Sequence, residues 1–201
     1  MKPLPLAVFA SGEGTNLQAI IDAIESGRLA AKIQFVLSNN SQSGALARAR
    51  KQNIPAIHLS EVVSGSREKF GEQLKELLRN HNVELIVLAG YMKLVPKEVI
   101  FLYRNRIINV HPALLPRFGG PGMYGRRVHE KVLASGVKES GASVHLVDEL
   151  YDHGSVILQR TVPVEPGDMP ETLAARVRRV EHQILVEAID LFVQGKVPVS
   201  S

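Results

Sequence analysis

Up to Val110, short β-rich apolar runs alternate with segments whose apolar residues recur at helical spacing, and few architectures accept that alternation. Leu6 to Phe9, Ile33 to Leu37, Ala56 to Leu59, Leu85 to Ala89 and Arg106 to Val110 read as strands. Between them, Leu17, Ile20, Ile21 and Ile24 mark one amphipathic helix that Gly27 can end, Ala45 to Lys51 a short one, and Phe70, Leu74, Leu77 and Leu78 a longer one capped by Ser66. Pro96 can open a further helix at its first position, where a missing N–H costs nothing. Strand and helix in turn predict an α/β fold, a mostly parallel twisted sheet with helices on both faces. Past Pro116 the texture changes. Residues 117–125 hold four glycines and a proline, a loop of the kind that covers sites, and Arg126 to Ser135 reads as a helix. Ala142 to Val147 and Ser155 to Val164 then predict an antiparallel strand pair, and Pro170 to Gln194 a closing helix with Leu173, Val177, Val180, Ile184, Leu185, Ala188 and Leu191 inward. At 201 residues, with no linker or repeat, a single domain over 1–201 is expected.

The fifth strand ends unusually. Asn109 and His111 lie one residue apart just before Pro112, so alternation points both side chains the same way, at the strand end where such sheets place their binding crevice. A carboxamide donor and an acid/base group are thereby offered to a ligand. The plainer alternative is a satisfied polar pair at a strand end.

Composition removes several classes of function. Cysteine is absent, which excludes disulfides and thiolate metal sites, and the seven histidines show no metal-ligand spacing, so no metal is assigned. No apolar run approaches the roughly 20 residues a membrane span needs, and no targeting segment is visible, so a cytoplasmic protein without membrane association is expected. The formal charge of +4 comes without a long basic run or an RNA-binding aromatic motif, and anionic small molecules explain it as well as nucleic acid does; no nucleic-acid partner is expected.

Residues 11–16 form a glycine turn between the first strand and its helix, where free N–H groups and a partial positive charge suit an anion. The turn does not complete the dinucleotide fingerprint, because Leu17 stands at the third glycine and Asn39-Asn40 follows the second strand; it also lacks the Gly-Lys-Ser/Thr of a P-loop. A phosphomonoester fits better, against the alternative of a simple helix cap. Glu181 is a second oddity, placed beside the stripe of Val177, Ile184 and Leu185, with Arg178 one turn earlier. A carboxylate there needs a partner or a cleft. Asp152, read alone, is a turn residue.

Four segments together resemble the folate-dependent glycinamide ribonucleotide formyltransferases of purine biosynthesis: 11–20 with its glycine turn, 87–92, Asn109 to Pro116, and 141–148. The resemblance spans the first strand to the last helix. It implies a Rossmann-like formyltransferase fold and transfer of a formyl group from 10-formyltetrahydrofolate to the amine of glycinamide ribonucleotide, without metal. By the same likeness Asn109, His111 and Asp152 match catalytic positions. Gly14, Thr15 and Asn16 match the phosphate turn, while Arg178 and Glu181 match ribonucleotide contacts. Arg67, the run Met92, Lys93, Leu94 and Val95, the run Asp148, Glu149, Leu150, Tyr151 and Asp152, and Asn109 itself match the folate side. The state implied is monomer or homodimer.

Attack of a neutral amine on a formyl carbon builds negative charge on the oxygen, which a carboxamide and a protonated imidazole are suited to stabilise. Asp152, if within about 4–6 Å, is expected to raise the His111 pKa. Two features depart from the usual family pattern: the loop after Pro116 is longer, and His153 stands where a second glycine is common. The alternatives within the chemistry are formyltetrahydrofolate hydrolase, which carries an added N-terminal regulatory domain, and methionyl-tRNA formyltransferase, whose C-terminal β domain has no counterpart in this sequence. A nucleotide-binding protein without catalysis would need no Asn-His-Asp set.

Overall fold

The structure is a computed structural model, described over residues 2–197. Among the described residues seven strands form one mixed sheet, and the chain divides into two compact units, Met1–Ile108 and Asn109–Ser201.

The first unit contains β1 (Leu4–Phe9), α1 (Thr15–Glu25), β2 (Ala31–Ser38), α2 (Gly44–Lys51), β3 (Ala56–His58), α3 (Glu61–Ser64), α4 (Arg67–Asn80), β4 (Leu85–Leu88), α5 (Lys97–Leu102) and the start of β5 (Ile107–His111). β1 pairs in parallel with β2 on one side and β4 on the other, and β2 pairs in parallel with β3. Leu6 to Ala10 are wholly buried, as a central parallel strand covered on both faces requires; that is why the run is apolar without alternation. The chain leaves β1 toward β2 and β3, then returns to its other side as β4. Such a reversal of strand order leaves a crevice at the carboxyl ends of the flanking strands. The segments emptying into it are the turn after β1 and residues 89–95 after β4. They are joined there: Ser11 N donates to Gly90 O at 3.0 Å, and Ser11 Oγ accepts from Met92 N at 2.8 Å and donates to Asn39 Oδ1 at 2.5 Å.

The second unit holds the end of β5 with α6 (Arg126–Ala134), β6 (Glu139–Leu146), β7 (Val156–Pro163) and α7 (Pro170–Val193). β6 and β7 are antiparallel, as their closeness in sequence predicts, with a register shift between Val144 and His145. α7 lies against α6, β6 and β7 through Leu173, Val177, Ile184, Leu185, Ala188 and Ile189. Its start is fixed by Arg176, which donates to Asp168 Oδ2 at 2.7 Å and Oδ1 at 3.1 Å; this hydrogen bond holds the Asp168 carboxyl far below the usual carboxylate range.

The mixed sheet agrees with the sequence reading, and the differences are local. Pro96 is the residue before α5 rather than its first, because its ψ of 140° is extended. On α4, Gly71 is buried while Leu77 is half-buried. α3 was not legible at four residues, since its exposed Val62 and Val63 give no helical stripe. β6 begins at Glu139, three residues before the expected Ala142, because Ser140 and Gly141 are buried there although neither is a strong strand former.

Candidate active site

Strand alternation does put Asn109 and His111 on one side of β5, and the turn between β6 and β7 brings Asp152 to them, all within the second unit. His111 Nδ1 lies 3.4 Å from Asp152 Oδ2, with 4% and 9% of the two side chains exposed. Asn109 Nδ2 donates to Asp152 Oδ1 at 3.3 Å. The other His111 nitrogen, Nε2, stands 2.8 Å from the Phe118 carbonyl, which can only accept, so Nε2 carries a proton.

A fourth side chain belongs to this group. His145 on β6 is 2% exposed, and its Nδ1 donates to its neighbour's carbonyl, Leu146 O, at 2.7 Å. In the neutral ring that bond leaves Nε2 as an acceptor, and Nε2 sits 3.0 Å from Asn109 Nδ2. Both hydrogens of the Asn109 amide are thus directed, one at His145 and one at Asp152, which fixes which way the carboxamide faces. The register shift at His145 supplies a local turn of the strand that re-aims the residue. His145 is absent from the set expected above. Its signal lies in the run 142–146, where Ser143 and His145 alternate with apolar residues just as Asn109 and His111 do on β5.

The backbone around the cluster is tightly held. Ser143 Oγ donates to Ala113 O at 2.6 Å and accepts from Leu115 N at 3.0 Å, while Gln159 Nε2 donates to Leu115 O at 2.7 Å. These bonds fix the segment directly after His111, which includes a cis Leu115–Pro116 bond. Gly120 N donates to Asp152 Oδ2 at 3.0 Å, so the glycine loop is tied to the carboxylate. Asp152 adopts a left-handed φ of 53°, and the turn closes after it because residue 154 is glycine: a Cβ there would stand 1.9 Å from the Leu146 carbonyl oxygen. Asp148 accepts from Leu150 N at 2.8 Å, and its Oδ2 lies 2.7 Å from His153 Nδ1, so the departing residue His153 is used to hold this turn.

Burial decides the charge state of His111. It pushes the imidazole down; Asp152 and the Phe118 carbonyl pull it back up, and His145 adds a smaller downward push, leaving the pKa below its ordinary value. The expectation of a raised pKa is therefore corrected, although Asp152 does act upward as reasoned. Burial would raise the Asp152 carboxyl, but the His145 and His111 rings beside it and the Gly120 N–H outweigh it and hold it below the usual carboxylate range. On α6, burial and then the nearby charges of Arg178 and His111 bring His129 to about 4, and its buried Nδ1 has no hydrogen-bond partner among the described residues.

The remaining expected residues fall as follows. In the first unit, Gly14 adopts the left-handed φ of 76° that only glycine takes freely, and a Cβ would come 2.7 Å from Ala45 Cα. Thr15 and Asn16 open α1, with the buried Oδ1 of Asn16 unpartnered among the described residues. Met92 and Lys93 are exposed, Leu94 is half-buried and Val95 buried; Arg67 is paired with Glu61 at 2.8 Å. In the second unit, Arg178 is exposed and Glu181 half-buried on α7, and Glu149, Leu150 and Tyr151 are exposed on the turn before Asp152. No group of three or more His, Cys, Asp or Glu among the described residues could hold a metal ion, and no described helix is long and apolar enough to cross a membrane.

The sequence profile of the formyl transferases matches residues 4–189. The chain belongs to the formyl transferase family. It is 40% identical over 192 residues to the phosphoribosylglycinamide formyltransferase of Haemophilus influenzae, covering 95% of this chain and 88% of that one. It is 41% identical to the chloroplastic phosphoribosylglycinamide formyltransferase of Vigna unguiculata, where 96% of this chain spans 62% of the relative's length. Among solved structures, glycinamide ribonucleotide transformylase 1 from Symbiobacterium toebii superposes with a TM-score of 0.93 at 38% identity, over 100% of this chain and 92% of that one. A formyltetrahydrofolate deformylase from Pseudomonas syringae pv. tomato superposes with a TM-score of 0.87 at 26% identity, over 99% of this chain and 64% of that one. A glycinamide ribonucleotide transformylase and a formyltetrahydrofolate deformylase thus share this fold.

Proposed function

We propose that this formyl transferase moves the formyl group of 10-formyltetrahydrofolate to the amine of glycinamide ribonucleotide, giving formylglycinamide ribonucleotide and tetrahydrofolate, with residues 1–201 acting as one catalytic domain. The observation that carries the reading is the buried Asn109–His111–Asp152 cluster, in a chain 40% and 41% identical along nearly its whole length to two phosphoribosylglycinamide formyltransferases. In the reaction a bond forms between the substrate amine nitrogen and the formyl carbon, the bond from that carbon to the folate nitrogen breaks, and one proton passes from the amine to the folate nitrogen.

The cluster is suited to each part of this exchange. His111, held below its ordinary pKa, is neutral at rest near pH 7 and can take up a proton as charge develops beside it. Its imidazolium would have an acceptor at each nitrogen, Phe118 O and Asp152 Oδ2. Asn109 offers an N–H to the developing oxyanion; of its two bonds, the 3.3 Å one to Asp152 is the longer and the one a substrate oxygen displaces. The Gly14–Asn16 turn receives the phosphate, Arg178 and Glu181 meet the ribonucleotide with Glu181 toward its amine, and Arg67, Met92–Val95 and Asp148–Asp152 meet the folate. No metal takes part in this scheme.

The test is tetrahydrofolate release from 10-formyltetrahydrofolate with and without glycinamide ribonucleotide. Turnover that depends on the ribonucleotide is expected. Equal release without it would select the deformylase chemistry, with water as acceptor.

A further inference from the structure

We propose that Arg48 is a positioning residue for the anion-accepting turn at residues 13–16: by holding the Glu13 carbonyl, it sets the direction in which the Gly14 N–H points. The inference rests on the reading of that turn as the phosphate subsite and adds the device that shapes it.

Three successive carbonyls of the turn are each held by the first unit's own framework. Gly12 O accepts from Ala45 N at 3.1 Å, Glu13 O from Arg48 Nε at 2.9 Å, and Gly14 O from Gln18 N at 3.0 Å. In a planar trans peptide the N–H points opposite to the C=O. Anchoring the Gly12 and Glu13 carbonyls on α2 therefore turns the N–H groups of Glu13 and Gly14 away from α2, and the Gly14 carbonyl, committed to α1, turns the Thr15 N–H out of the end of that helix. Successive N–H groups presented in this way, around a residue with φ of 76°, form an anion-binding nest. The buried Asn16 Oδ1, unpartnered among the described residues, adds a polar atom to the same turn.

Arg48 is the one side chain among these anchors, and it is gripped at two points, since its Nη1 also donates to Gln18 Oε1 at 3.0 Å. The peptide it fixes leads into Gly14, whose missing Cβ leaves the backbone there less restricted than at any other residue type. Gly44 leaves room for the same carbonyl from another side: a Cβ there would stand 2.8 Å from Glu13 O. Position and charge can thus be separated, because Gly44→Ala disturbs the carbonyl and keeps the guanidinium, whereas Arg48→Met removes both hydrogen bonds and the charge.

The experiment titrates inorganic phosphate into the ¹⁵N-labelled intact protein, follows the amides of residues 13–16, and measures steady-state kinetics for both substrates. In the wild type the Gly14 amide is expected to shift on phosphate addition. In Arg48→Met that shift shrinks, phosphate binding and the KM for glycinamide ribonucleotide worsen by about tenfold or more, and kcat and the folate KM stay within about twofold. Gly44→Ala is expected to move the same quantities in the same direction. Wild-type phosphate binding in Arg48→Met, or a defect there that Gly44→Ala does not share, overturns the proposal, the second by assigning Arg48 to charge alone. If Gly44→Ala does not fold, Arg48→Lys replaces it, and full recovery by the lysine overturns the proposal in the same way. A wild-type turn whose amides ignore phosphate refutes the subsite reading itself.

Discussion

Asp152 Oδ2 lies 3.4 Å from His111 Nδ1 while accepting the Gly120 N–H, so one carboxylate joins the strand end to the glycine loop. Its negative charge opposes the burial that pushes the His111 pKa down. Asp152→Asn keeps the shape and removes the charge, so the His111 titration followed by NMR is expected to move lower still, with turnover reduced and both substrates bound. An unchanged titration would mean that the two groups are not electrostatically coupled, and Asp152 would then act on the loop alone.

Asn109 and His111 each meet the reacting atoms in the proposed mechanism. Asn109→Ala and His111→Ala are expected to lower kcat by roughly 10²-fold or more with the fold intact by circular dichroism. Near-wild-type turnover in either variant removes that residue from the chemistry.

The depressed histidines make acid stability a separate test. His129 is held down to about 4 and His111 is also lowered, whereas an unfolded histidine titrates near about 6.5. Between those values the unfolded chain binds more protons than the folded one, so the stability from keeping these rings neutral is fully present above about pH 6.5 and is lost as pH falls toward 4. Asp152, with its carboxyl also lowered, contributes only at still lower pH. Thermal denaturation across this window should show Tm falling with acidification, and His129→Leu should flatten the slope. Parallel slopes in the two proteins would contradict the assignment to His129.

Glu181 sits half-buried on α7 between the buried Val177 and Ile184, one turn after Arg178, and in the proposed function it faces the ribonucleotide amine. Glu181→Ala is expected to raise the ribonucleotide KM at least about tenfold while changing the folate KM little. Equal effects on the two substrates would make the charge a structural one.

The site residues legible in the sequence are those whose signal is local. Asn109 and His111 were legible because a period of two and a strand-stopping proline are written in adjacent residues. The glycine turn was legible because Gly14 needs a backbone conformation that few residues accept. Asp152 stands 41 residues from His111, and only the β6–β7 turn joins them; spacing alone gave a turn residue, and the assignment came through resemblance. His145 escaped because a histidine in an apolar strand looks like a satisfied core residue until its partners are known. Likewise the sign of the His111 shift depends on burial, since 4% side-chain exposure outweighs the nearby carboxylate, and the sequence does not state depth.

The fate of the formyl carbon decides between transfer to the ribonucleotide and release as formate. With 10-formyltetrahydrofolate labelled at the formyl position with ¹³C and one equivalent of glycinamide ribonucleotide, NMR of the wild-type reaction should show the label passing into the formamide of the ribonucleotide product, with little free formate. Label collecting as formate, at a rate the ribonucleotide does not change, would contradict transfer.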